Sequence, residues 1–125
     1  MKSLFLTRHA KSSWSNPGLA DIDRPLNERG KKAAPFMGKL IVDKGEKPEL
    51  LISSPAYRAF LTAKAFGEAM GLVENDIIID RTIYGAGAQQ LLELVQNQDD
   101  LHKSIMLFGH NPTFTSFVNL LTGSN

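Results

Sequence analysis

Short, wholly apolar segments, helical patterns between them and turn residues at each junction predict an α/β fold. The segments Leu4-Phe5-Leu6, Leu50-Leu51-Ile52, Ile77-Ile78-Ile79 and Ile105-Met106-Leu107-Phe108 have no polar alternate position. That is the pattern of strands covered on both faces, so the expected architecture is a three-layer α/β/α sandwich around a mainly parallel central sheet. The 125 residues, 42% hydrophobic and 22% charged, are enough for about one domain, taken as 1–125.

The first apolar segment gives way to the polar series Thr7-Arg8-His9-Ala10-Lys11. Residues 12–25, with Ser, Asn, Pro and Gly around Trp14, read as a long loop. Asn27 is the expected N-cap of a helix whose apolar positions Phe36, Met37, Leu40 and Ile41 lead to Gly45. Pro35 is expected to kink that helix or mark a loosened first turn. The second strand stops at Ser53-Ser54-Pro55, where Ser54 as N-cap and Pro55 as first helical residue should start a helix through Tyr57, Phe60, Leu61, Ala65 and Met70. A third strand over 77–79, a helix over 89–96 and a fourth strand over 105–108 follow. The last helix carries Phe114, Phe117, Val118 and Leu121 and closes at Gly123.

Composition excludes several classes of function. Fourteen basic and thirteen acidic residues give a net charge of +1, so no global field holds nucleic acid or an anionic membrane. The chain contains no cysteine, which removes thiolate nucleophiles, Cys-ligated zinc and iron–sulfur clusters. The apolar stretch near Met1 is too short for a signal-peptide core, and no segment approaches the roughly 18 apolar residues of a membrane span. A soluble, cytoplasmic protein with neither nucleic-acid nor membrane partner is expected.

Open parallel sheets bind ligands outside the carboxyl ends of their strands. There the sequence carries Arg8-His9, Ser53-Ser54-Pro55 with Arg58 in the next turn, Asp80-Arg81 and Gly109-His110. With the strands as parallel neighbours, two histidines and two or three arginines converge. That composition suits a phosphate site containing a nucleophile: arginine offers a planar fork of donors to phosphate oxygens, and a neutral imidazole can attack phosphorus. His102, in the polar stretch Asp99-Asp100-Leu101-His102-Lys103, reads instead as a loop residue.

Four blocks carry a resemblance. Leu6-Thr7-Arg8-His9-Ala10-Lys11-Ser12, Asp23-Arg24-Pro25-Leu26-Asn27-Glu28-Arg29-Gly30, Ser53-Ser54-Pro55-Ala56-Tyr57-Arg58-Ala59 and Gly109-His110-Asn111-Pro112 resemble, in order, the signatures of the histidine phosphatase (phosphoglycerate mutase-like) superfamily. The chain looks most like its small SixA-type phosphohistidine phosphatases, which lack a large inserted subdomain. The resemblance implies that His9 is the phosphorylated nucleophile, that Arg8 and Arg58 clamp the phosphoryl oxygens, and that His110 completes the pocket. It further implies that Arg24 borders the site and that Thr7 and Asn27 contribute contacts, with capping an equal explanation for Asn27. The family needs no metal or other cofactor, and the sequence shows no clustered carboxylates of the kind hard cations use.

Larger members carry a glutamate that protonates an alkoxide leaving group. Here the corresponding stretch, Asp80 to Gly87, has none. An alkoxide benefits from general-acid help worth ~10²–10⁴-fold, whereas imidazole is a far weaker base, its conjugate acid titrating near ~6.5. The expected substrate is therefore phosphohistidine on a protein such as a histidine-containing phosphotransfer domain, with inorganic phosphate as product. A small phosphate ester is the alternative substrate, and a non-catalytic phosphoprotein-binding module the alternative class. Asp21 and Asp23 stand as weak acid candidates, better read as loop carboxylates facing water. Trp14 is either part of the rim or packing over a helix end, and Gly85-Ala86-Gly87 is a plain turn before it is an anion site. A receiver domain, an aspartate phosphatase of the haloacid dehalogenase type and a P-loop protein each lack their required residues in the required context. Family members usually continue past this last helix, so a final strand and helix are expected to be missing, a C-terminal truncation.

Overall fold

Parallel pairing joins all four apolar segments into one sheet: β1 (Ser3–Arg8), β2 (Leu50–Ser53), β3 (Ile77–Ile79) and β4 (Ser104–Gly109), in the order β1-β4-β2-β3. The computed structural model describes residues 3–98 and 102–123. The expected loop residues Asp99, Asp100 and Leu101 lie outside them. Between and after the strands run α1 (Glu28–Asp43), α2 (Tyr57–Ala69), α3 (Ala88–Gln96) and α4 (Thr113–Thr122).

Alternate strand residues serve two cores. Leu50, Ile52, Ile105 and Leu107 pack with Leu91 and Leu94 of α3 and Phe114 and Phe117 of α4, with Leu4 and Leu6 alongside. Leu51, Met106 and Phe108 pack on the other face with Ala63 and Phe66 of α2, joined by Phe5 and by Ile41 and Val42 of α1. The period of two along each strand thus sends successive side chains to opposite layers, which is why no position could be polar. This is the three-layer α/β/α sandwich with a parallel sheet.

Two local expectations, a loosened first turn at Pro35 and a Ser54 cap on α2, need correction. Pro35 lies well past the first turn of α1, and the helix runs unbroken through it. Lys31 and Pro35 are both exposed, and Pro35 has no N–H to give the Lys31 carbonyl. Ser54 does not cap α2, which begins at Tyr57 behind Ala56. The Ser54 hydroxyl accepts from the Ala56 N–H at 3.2 Å and meets a partner on another strand end, described below. Asn27 does cap α1, its Oδ1 accepting from the Gly30 N–H at 2.8 Å.

The start of α1 also supports the segment after β1. The Asn27 N–H donates to the Lys11 carbonyl at 2.9 Å. A Cβ on Gly30 would stand 2.2 Å from that same oxygen, so only glycine fits there. Among the described residues, no helix is long and apolar enough to cross a membrane.

Candidate active site

Strand register brings the predicted residues together. Arg8 pairs with Gly109 and Ser53 with Phe108, so His9, His110 and Ser54 each sit one residue beyond a strand end on the same edge. The His9 N–H donates to the Gly109 carbonyl at 3.1 Å and the Ser54 N–H to the Phe108 carbonyl at 2.9 Å, extending the ladder into the site. The two imidazole rings stand 5.3 Å apart between centroids.

Nδ1 of His9 donates to the Ala10 carbonyl at 2.7 Å. A carbonyl can only accept, so the ring hydrogen lies on Nδ1 and Nε2 keeps its lone pair. The Ala10 N–H in turn donates to Thr62 Oγ1 at 3.0 Å, and that hydroxyl donates to the Arg58 carbonyl at 2.8 Å, which ties the segment after β1 to α2. Burial lowers the His9 pKa from its ordinary 6.5; the Ala10 carbonyl pulls the other way, and the positive charges of Arg58, Arg8 and Arg24 reinforce the fall.

Arg58, in the first turn of α2, is only 6% exposed. Its Nη1 donates to the Asp21 carbonyl at 2.7 Å and its Nη2 to Asp21 Oδ2 at 3.0 Å. Arg24 donates from Nε to Asp21 Oδ1 at 3.1 Å and from Nη1 to Ser12 Oγ and the Ser13 carbonyl. Its guanidinium lies 3.5 Å from the ring centroid of Trp14, which is 76% exposed. Trp14 is therefore a rim residue stacked on Arg24.

Asp21 organises this side of the site. Tyr84 donates to its Oδ2 at 2.7 Å. That bond first, then Arg58 and Arg24, overcome desolvation and bring the carboxyl down to about 2. The Asp21 carboxylate is engaged by Tyr84, Arg58 and Arg24 and does not line the cleft. Asp23 is exposed and does not line the cleft.

A cleft of about 760 Å³ opens at this edge, lined by Thr7, Arg8, His9, Arg24, Asn27, Arg58 and His110 among others. Among the described residues, no aspartate or glutamate lines it. Arg81, Glu93 and the Gly85-Ala86-Gly87 turn lie outside it, and His102 faces Glu49 at 3.9 Å elsewhere. His110 Nε2 lies 2.8 Å from Ser54 Oγ, and Tyr84 approaches the His110 ring edge-on at 5.8 Å. Burial, with Arg58 and His9 adding, brings the His110 pKa to about 4. The roles of Asp21 as arginine holder, and of Tyr84, Thr62 and Ser54, carried no signal in the local sequence; each depends on a partner many residues away.

Two imidazoles beside buried guanidiniums, at the carboxyl edge of a parallel sheet, define an α/β domain built to receive a compact anion. The chain belongs to the histidine phosphatase superfamily: the model of its branch 1 matches residues 4–83. A solved structure from Agrobacterium tumefaciens, provisionally assigned as the phosphohistidine phosphatase SixA, superposes with a TM-score of 0.89 at 35% identity, over 98% of this chain and 79% of that one. An uncharacterised chloroplast protein of Arabidopsis thaliana is 30% identical over 99% of this chain. Phosphoserine phosphatase 1 of Hydrogenobacter thermophilus is 37% identical over 64% of it. This chain spans 61% and 39% of the lengths of those two relatives.

Proposed function

We propose that this protein is a metal-independent phosphatase that forms a phosphohistidine intermediate on His9 and acts on phosphohistidine carried by another protein, such as a phosphotransfer domain. Nε2 of His9 attacks phosphorus, the P–N bond to the substrate imidazole breaks, and the departing ring takes a proton from water. Arg8 and Arg58 meet the charge on the phosphoryl oxygens. Water then attacks phosphorus, the P–Nε2 bond breaks, and inorganic phosphate leaves with both protons of that water, one of which neutralises the hydroxide left by the first step. The Ala10 carbonyl, holding Nδ1–H throughout, stabilises the ring while it carries the phosphoryl group. Arg24 borders the cleft, with Thr7 and Asn27 as further contacts.

One observation carries the substrate class: no carboxyl group lines the cleft among the described residues, and the nearby Asp21 is held ionised. Such a site assists a leaving imidazole better than a leaving alkoxide. The name of the Agrobacterium protein points the same way. That of the Hydrogenobacter relative favours a second reading, a phosphomonoester substrate. Among the described residues, no group of three His, Cys, Asp or Glu is placed to hold a metal ion.

Comparing kcat/KM for a phosphohistidine protein with that for serine, sugar and aryl phosphates tests the preference, and equal or better rates on the esters reject it. His9→Ala should abolish turnover and the trappable phosphoenzyme; survival of either overturns the nucleophile. Tight binding of a phosphoprotein without phosphate release would mark a binding module.

A further inference from the structure

We infer that Ser54 sets the tautomer of His110, so that this histidine enters the reaction as a neutral Nδ1–H donor to the phosphoryl group; the inference rests on reading the cleft as a phosphatase site. Ser54 is fully buried and does not line the cleft. Its Oγ accepts from the Ala56 N–H at 3.2 Å and lies 2.8 Å from Nε2 of His110. A hydroxyl has one proton to give. Were Nε2 to carry the ring hydrogen, Ser54 Oγ would accept twice, and its own proton would be stranded in the interior, a loss folded proteins avoid. Donation from Ser54 to Nε2 satisfies both groups and leaves the ring hydrogen on Nδ1.

Nδ1 of His110 is buried and has no hydrogen-bond partner among the described residues. Its ring lines the cleft 5.3 Å from that of His9. A phosphoryl group held between the two rings would supply the missing acceptor.

The surroundings keep this donor uncharged. Arg58 from α2 and His9 from the end of β1 oppose a positive ring, as does burial, and Asp21 alone favours one, with Tyr84 edge-on beside it. A neutral imidazole donates a hydrogen bond without releasing its proton, so His110 stabilises charge on phosphorus-bound oxygens and leaves protonation of the leaving group to water. Ser54 is a positioning residue that acts through His110.

Two-bond ¹⁵N–¹H correlation of the labelled protein reads the tautomer directly, with the three histidine rings assigned through His9→Ala and His102→Gln. The expected wild-type result for His110 is a protonated Nδ1 and a bare Nε2. Ser54→Ala should shift that ring toward the Nε2–H form and lower kcat for an aryl phosphate roughly 10- to 100-fold, with KM little changed. Ser54→Thr, which keeps the hydroxyl, should restore the wild-type ring pattern. An Nε2–H ring in the wild type overturns the inference, as does Ser54→Ala with unchanged tautomer and kcat. The ring measurement needs no turnover and stands even if Ser54→Ala folds poorly. A wild-type protein that never forms a phosphoenzyme would defeat the phosphatase reading and leave the tautomer assignment intact.

Discussion

The two sides of the cleft hold one histidine each, and they hold them differently. On the β1 side, an edge strand ends in an exposed Arg8, and the following loop presents Trp14 to solvent. On the β2–β4 side, central strands end in buried residues: Ser54 is 0% exposed and Arg58 6%, and Arg58 is bonded before any ligand arrives. The difference separates two tasks. The buried side is a preset frame of charge and donors, and the open side leaves His9 accessible; under the proposed function the first would hold a phosphoryl group and the second would admit a bulky substrate.

The largest expected effect tests that asymmetry head on. Arg58→Ala removes a buried guanidinium and leaves Asp21 without its principal cation, so under the proposed function kcat/KM should fall by ~10³-fold or more. Arg8→Ala, at an exposed position, should cost about tenfold. Equal losses for the two would erase the distinction between frame and rim.

Asp21→Asn comes next. It keeps the shape while halving the charge-assisted bonds to Arg58 and Arg24, and kcat/KM should drop roughly tenfold. Tyr84→Phe should reproduce a smaller part of that loss, since it removes one donor to the same carboxylate.

Acidity offers a further handle. Both site histidines have lowered pKa values in the folded protein, so the unfolded chain binds more protons than the native one below about pH 6.5. Stability should therefore decline as pH falls from about 6.5 toward the His110 value of about 4, by a few °C in Tm. The contribution of ionised Asp21 has the opposite-sign group but the same direction: present above an unfolded value near ~3.9, it is lost only as pH falls toward about 2. In the proposed mechanism His9 attacks as the neutral ring, so the acid limit of kcat/KM should lie below 6.5. A limit above that value would mean that burial and the arginines do not govern the ring.

Trp14→Ala should matter least for a small ester, changing kcat/KM by less than about threefold, because Arg24 retains its bonds to Asp21, Ser12 and Ser13. For a phosphorylated protein the loss should be clearly larger. A uniform effect across both substrates would remove Trp14 from the rim of a protein-binding surface.

The fold was legible because strands covered on both faces have no polar alternate position, and because glycines and prolines punctuate the elements between them. The cleft residues His9, His110, Arg8 and Arg58 were legible as strand-end positions that a parallel sheet gathers. What escaped was every pairing fixed by the tertiary fold alone. Tyr84 meets Asp21 across 63 residues of sequence, and Ser54 meets His110 across 56. Ser54-Pro55 has the local grammar of a helix start, yet the serine hydroxyl is committed elsewhere and the helix waits until Tyr57. Asp21 looked like a loose loop acid because nothing nearby in sequence announces the two arginines and the tyrosine that hold it.

The contact of Gly30 with Lys11 bears on how this domain can be engineered. Alanine in place of a helical glycine ordinarily strengthens a helix by about 1 kcal/mol, and a consensus or propensity search would nominate position 30 for that exchange. Here the added methyl group would drive the Lys11 carbonyl out of place and, with it, the backbone that carries His9 two residues upstream. Stabilising α1 at that point would trade directly against the placement of His9, so improvement of this helix has to come from its solvent face.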